Sequence, residues 1–109
     1  MAIPTKYHTK QGVEPIKRGE GITFTIDVAN QTSQTPTNLS MTIVSGHDVD
    51  GTVVSPVWHS GSPTAAGTVI TLPEITPPAG VTKGEYTAIV EFDAGGYVNS
   101  PRYVMLEVF

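Results

Sequence analysis

The fold of this chain is decided by one stretch, Gly84-Glu85-Tyr86-Thr87-Ala88-Ile89-Val90-Glu91-Phe92. Its apolar side chains stand at alternate positions from Tyr86 to Phe92, and alternate side chains of a β-strand point to the same face. On the opposite face Thr87 and Glu91 are polar, whereas Ile89 is apolar. The stretch therefore predicts a central strand that is partly covered on both faces.

The same alternation recurs along the chain. It is clearest in residues 21–29, where every even-numbered residue from 22 to 28 is apolar and the residues between them are Thr or Asp. Shorter apolar runs predict further strands at residues 12–17, 39–44, 52–59, 67–72 and 97–109, the last interrupted by Pro101. Asp50-Gly51 suits a tight hairpin turn, and the small polar residues 60–66 predict a loop.

No stretch of ten or more residues shows helical periodicity. With turn signals separating about seven strands, the pattern predicts an all-β chain folded as an antiparallel β-sandwich. The 109 residues are enough for one domain, spanning 1–109, and residues 1–11 read as an extended N-terminal arm. Periodicity leaves the strand order open, so a jelly-roll-like arrangement stays an alternative.

Composition excludes several classes of partner. The formal net charge is −4 with only six Lys and Arg residues, so we expect neither nucleic-acid binding nor binding to an anionic membrane surface. There is no cysteine, and the first residues have no apolar core of a signal peptide. Both observations favour synthesis and assembly in a reducing cytosol.

Three motifs raise the question of chemistry. Asp48-Val49-Asp50-Gly51 resembles half of a calcium loop, but His59 stands where such a loop places its glutamate, so whether this loop holds an ion is left open. His47 and His59 would approach each other in a hairpin, although their spacing is not typical of metal ligands. The serine of Trp58-His59-Ser60 lacks the flanking glycines of a nucleophile elbow. We therefore predict no enzyme, no cofactor and no metal.

Aromatic side chains are the candidates for partner binding. Trp58, Tyr97 and Tyr103 can form an exposed surface for a sugar or a protein, but the preferred interpretation of Trp58 is a core residue that closes one end of the sandwich. Ile3 and Tyr7 on the arm, and Phe109, complete the predicted partner-binding residues.

Gly84 followed by Tyr86 resembles the corner of immunoglobulin-like sandwiches, where a tyrosine opens the sixth strand and bonds back to the backbone. Taken together, residues 17–109 resemble immunoglobulin-like structural proteins of tailed bacteriophages. The features that carry the resemblance are the glycine turn before a Thr-rich strand at residues 18–26, Asp50-Gly51, Gly84-Glu85-Tyr86, and Ser100-Pro101-Arg102 before the final strand.

This resemblance implies a non-enzymatic structural protein of a virion, assembled in the host cytoplasm: a capsid decoration protein, or a head–tail or tail adaptor. Its partners would be other virion proteins of the capsid or tail, and further copies of itself in a homo-oligomer. The alternative is a carbohydrate-binding or adhesion module of an extracellular protein, with Trp58 and the tyrosines as a stacking platform. The position in the virion and the oligomeric state are left open.

Overall fold

The computed structural model describes residues 13–47, 50–95 and 97–109, with the backbone alone at residues 97–100. This part of the chain is all-β, as predicted, and includes no helix able to cross a membrane. Its seven strands are β1 (Val13–Ile16), β2 (Thr25–Asp27), β3 (Thr37–Ser45), β4 (Thr64–Ala66), β5 (Val69–Thr71), β6 (Gly84–Ala94) and β7 (Tyr97–Val108).

The strands form two sheets. The larger sheet has the order β1-β7-β6-β3, in which β1 runs parallel to β7 and the other neighbours are antiparallel. The smaller sheet, β2-β5-β4, is antiparallel throughout. Side chains from both sheets belong to one hydrophobic core, an arrangement compatible with a β-sandwich.

Alternation along the strands fills this core. From Tyr86 to Ala94 every second side chain of β6 is buried, as predicted, and the same holds for the even-numbered residues 22–28. The largest fully buried side chains include Phe24, Ile26, Ile70, Phe92 and Leu106. Burying a side chain of this size contributes roughly 1.5–3 kcal/mol relative to leaving it in water.

Tyr86 anchors the start of β6. Its ring is buried, and its hydroxyl donates a hydrogen bond of 2.6 Å to the carbonyl oxygen of Thr82, four residues earlier. The predicted bond back to the backbone is therefore confirmed. Gly84 lies between the two residues with φ of 138°, a backbone conformation that a side chain would oppose.

The predicted strand at residues 52–59 is wrong. Only two of its residues form bridges, Val53 with Val44 and His59 with Ile75, so the segment touches two different neighbours instead of one continuous ladder. The predicted tight turn at Asp50-Gly51 is also wrong. The backbone N–H of Ser45 donates to the Thr52 carbonyl and Val44 bridges Val53, so Thr52 pairs with Ser45 and not across a two-residue turn.

The strands of the smaller sheet are shorter than the apolar alternation in the sequence predicts. The ladder of β2 covers only Thr25–Asp27, although the backbone N–H of Leu72 still donates to the Phe24 carbonyl. The register shifts by one residue between this bond and the bridge that follows it, which ends the regular ladder. Beyond Pro73, pairing resumes as a single bridge between Ile22 and Ile75. β4 forms within residues 60–66, which the sequence pattern predicts to be a loop; three small residues give no alternation to detect.

Two prolines lie along one edge of the larger sheet. Pro101 does not interrupt β7, which continues to Val108 while β1 pairs only with its last part, from Met105 onward. The N–H of Phe109 donates to Ile16 of β1, and its carbonyl accepts from Arg18 just beyond β1. Strand residues two apart point their backbone groups to the same edge, so Pro101 faces that edge too. By the same rule Pro15 faces away from β7. An edge is where a missing N–H is tolerated.

Candidate functional site: the outward face of the larger sheet

The side of the larger sheet that faces away from the core carries a strip of apolar side chains. Ile89 on β6 lies opposite Tyr103 on β7, and Met105, the next outward residue of β7, lies opposite Val13 on β1. Val13 is 42% exposed and Tyr103 38%, while Ile89 and Met105 are half-buried. We call these four residues the outward stripe.

Carboxylates surround the outward stripe. Glu85, Glu91 and Glu107 occupy outward positions of β6 and β7 and are exposed, and no outward position of the four strands holds a basic residue. A fourth carboxylate, that of Asp93, accepts a 2.7 Å hydrogen bond from the side chain of Asn38. The stripe is therefore an apolar surface with a negatively charged rim.

Gly46 and His47, which follow β3, cover one corner of this face. Thr87 points outward but is 3% exposed, because its hydroxyl donates to the Gly46 carbonyl at 2.7 Å. Val44 beside it is also buried. His47 reaches over the sheet, where its Nε2 lies 3.1 Å from the Leu106 carbonyl oxygen. The predicted partial cover of β6 is thus confirmed, and the outward stripe begins where the cover ends.

Trp58 is a core residue, in agreement with its preferred interpretation. Its side chain is 4% exposed and packs against Tyr86, with ring centroids 4.5 Å apart and planes tilted by 60°. An open groove of about 370 Å³ runs past it, lined by Val57, His59 and Glu74 among others. The indole ring itself offers no stacking surface to a ligand in this conformation.

The other predicted partner-binding residues have different outcomes. Tyr103 belongs to the outward stripe, and Phe109 is 53% exposed just after β7. Ile3 and Tyr7 lie outside the described residues, and so does the side chain of Tyr97. The structure therefore places Tyr103 in an exposed apolar surface and removes Trp58 from it.

The histidines make structural contacts. His59 Nδ1 lies 3.0 Å from the Gly61 carbonyl oxygen, and His47 Nδ1 lies 3.9 Å from a Glu85 carboxylate oxygen. Asp48 is outside the described residues. Among the residues that the structure does describe, no three His, Cys, Asp or Glu side chains are grouped to hold a metal ion.

Arg102 fixes the loop after β2 to β7. Its guanidinium donates to the side-chain oxygens of Asn30 at 3.2 Å and Gln31 at 3.1 Å. Burial lowers the pKa of Arg102, because the charged form loses part of its hydration. This side chain lies on the side of β7 opposite the outward stripe, since Arg102 pairs with the inward-facing Val90.

Sequence analysis missed three of the four stripe residues. Ile89 carried a signal, since it is the apolar residue on the otherwise polar face of its strand. Met105 carried the same kind of signal, since it is an apolar residue on the face of β7 opposite Val104 and Leu106. Val13 carried none, because its position depends on the parallel pairing of β1 with β7, which periodicity does not reveal.

Comparison of the chain with protein-family models, with curated proteins and with solved structures found no match.

Proposed function

We propose that this chain is a non-enzymatic structural protein of a tailed-bacteriophage particle, a capsid decoration protein or a head–tail or tail adaptor. The observation that carries the proposal is the outward stripe: an exposed apolar strip on a rigid sheet, with a charged rim. Exposed apolar patches rimmed by polar residues are typical of protein–protein contact sites. Such a surface works by shape and repeated contact, and requires no chemistry.

The strand order supports the resemblance to immunoglobulin-like phage proteins on which the proposal draws. In the constant-type immunoglobulin fold the second, fifth and fourth strands share one sheet, and the third, sixth and seventh share the other. The orders β2-β5-β4 and β7-β6-β3 follow this division. The first strand differs, since β1 lies beside β7 rather than beside β2. The hydrogen bond from Tyr86 to Thr82 adds a second point of agreement.

The environment of the titratable groups supports a structural role. His47 and His59 contact backbone carbonyls, and Arg102 bonds to two side-chain amides. These partners hold loops against the sheets. The alternative function, glycan binding, depended on Trp58 as a stacking platform, and its burial against Tyr86 disfavours that alternative.

Particle composition tests this proposal. Particles of a phage that encodes the chain would be purified on a density gradient, and the protein quantified by mass spectrometry against the major capsid protein. We expect a fixed ratio to the capsid protein for a decoration protein, or a small multiple of the tail symmetry for an adaptor. Absence from particles while the protein is abundant in the lysate would overturn the proposal.

A pair of variants links that result to the surface. Tyr103→Ser removes the largest side chain of the outward stripe and should lower incorporation into particles. Val69→Ser is the matched control, because Val69 is 36% exposed on β5 of the smaller sheet. Equal incorporation of both variants would show that the outward stripe is not the contact with the particle.

A further inference from the structure

The outward stripe requires a partner of particular chemistry. No described residue covers Tyr103 or Val13, and the surrounding rim holds Glu85, Glu91 and Glu107 without a basic residue among the outward strand positions. Lys17 follows β1 and Lys83 precedes β6, outside the outward strand positions. Arg102 precedes Tyr103 but lies on the inward side of β7, where it bonds to Asn30 and Gln31. A complementary partner therefore supplies apolar side chains together with positive charge.

The N-terminal arm has this composition. Residues 1–12 contain Ile3 and Tyr7, two lysines at positions 6 and 10, and no acidic residue. Two of the six basic residues and none of the ten acidic ones lie there, so residues 13–109 carry four basic residues against ten acidic. The arm and the rest of the chain are opposite in charge.

The attachment point favours exchange between copies. Since β1 runs parallel to β7, a straight continuation of β1 toward the N-terminus follows the edge of β7 past the level of Tyr103 and leaves the sheet at the Pro101 end. To reach the stripe of its own sheet, the arm has to reverse over Val13. Extended, 12 residues span up to about 40 Å. The width of four strands is roughly 15 Å, so the arm is long enough to reach a neighbour.

We propose that residues 1–12 of one copy bind the outward stripe of a second copy. Ile3 and Tyr7 pack on the stripe, and Lys6 and Lys10 pair with the glutamates at its rim. Arm and stripe are different surfaces, so the contact is head-to-tail and builds a ring or a chain of copies. This inference rests on the proposed function, because it takes the outward face to be an assembly surface.

The first test is the mass of the full-length protein by light scattering over a range of concentrations. The unaltered chain should form oligomers that weaken between about 0.1 and 0.5 M NaCl, because salt shortens the range of the attraction between lysines and glutamates. An arm variant, Lys6→Glu/Lys10→Glu, and a face variant, Glu91→Lys/Glu107→Lys, should each raise the dissociation constant at least about tenfold.

Matched controls make the same change in charge at residues outside the arm and outside the rim of the outward stripe. Lys17→Glu/Lys83→Glu is the control for the arm variant, and Glu20→Lys/Glu74→Lys is the control for the face variant. Both should associate like the unaltered chain. Tyr103→Ser is a second face variant, which removes apolar contact without altering charge and should also weaken association.

A mixture of the arm variant and the face variant distinguishes binding of the arm to a second copy from binding of the arm to its own sheet. The arm variant keeps an intact stripe and the face variant keeps an intact arm, so an equimolar mixture should form heterodimers that neither variant forms alone. An arm bound to its own sheet would give no complementation. The inference is overturned by a monomeric unaltered chain, by variants that associate normally, or by a mixture that stays monomeric.

Failure of this inference is separable from failure of the proposed function. A protein present in purified particles whose association ignores both sets of variants contradicts the arm contact alone. Complementation in solution by a protein that is absent from particles contradicts the virion assignment alone.

Discussion

Tyr86 combines two roles in one side chain. Its ring packs in the core against Trp58, and its hydroxyl donates to the carbonyl of Thr82, which lies just before β6. The hydroxyl thus stays hydrogen-bonded while the ring is removed from water, which avoids the cost of an unpaired buried polar group. This bond fixes the chain just before it enters β6.

Removal of that hydroxyl should weaken the fold by a modest amount. We expect Tyr86→Phe to lower the free energy of unfolding by about 1 kcal/mol, the usual net value of one hydrogen bond. Urea denaturation followed by tryptophan fluorescence measures it. Tyr103→Phe is the matched control: its ring is exposed on the outward face, and its variant should stay within about 0.5 kcal/mol of the unaltered protein. Equal effects would contradict the role of the Thr82 bond.

Gly84 is required for its backbone conformation. With φ of 138°, it adopts a geometry that L side chains rarely reach, although a Cβ would meet no atom within 4 Å. Gly84→Ala should therefore destabilise the protein by about 1–3 kcal/mol through backbone strain alone. Gly80→Ala, with equally open surroundings and no positive φ, should change stability by less than about 0.5 kcal/mol. The comparison uses thermal unfolding, and similar melting temperatures for the two variants would refute the strain argument.

At the scale of the strands, two prolines protect the β1–β7 edge of the larger sheet from pairing with another strand. Pro15 on β1 and Pro101 on β7 both turn a nitrogen without hydrogen toward the edge, and an exposed row of N–H and C=O groups is otherwise a template for pairing with another chain. The protected edge lies beside the outward stripe. This part of the molecule therefore allows contact through the face of the sheet and discourages strand pairing at its edge.

Replacement of Pro101 should open that edge. We expect Pro101→Val to aggregate faster than the unaltered protein, because the valine restores an N–H to a strand with no described partner at that level. Thr42→Val is the control, since it adds an exposed valine to the same face without adding a donor. Thioflavin fluorescence during prolonged incubation reports the difference, and equal aggregation of both variants would show that the missing N–H is not protective.

Periodicity predicted those elements whose side chains alternate over many residues. β6, β3 and the buried face of residues 22–28 follow from the sequence because each buries every second side chain against the opposite sheet. Periodicity failed where the structure of a segment depends on the strands beside it. Residues 52–59 have strand-like composition but bridge two different neighbours, and β4 consists of three small residues held by β5. The outward stripe was predicted only at Tyr103. Ile89 and Met105 lie in it through the pairing of β6 with β7, whereas the position of Val13 depends on the register of β1 against β7.

At the scale of the whole molecule, charge is distributed unequally along the chain. The acidic residues lie in residues 13–109, three of them at the rim of the outward stripe, whereas the first 12 residues are purely basic among their charged positions. Acidic faces of two copies would repel each other, and a basic segment between them would offset that repulsion. Assembly of such a protein is therefore expected to be sensitive to salt, whatever the stability of each copy.

The parallel pair of β1 and β7 has a mechanical consequence. The hydrogen bonds of the described ladder run across the two strands, with Val13 at one end of the ladder and Phe109 at the other. A pull applied through the arm and through Phe109 draws the two strands along each other, so that it loads all of these bonds together. Antiparallel strands pulled at one shared end would instead separate one bond at a time. A copy held through its arm would thus resist force in shear, the direction in which a short ladder is strongest.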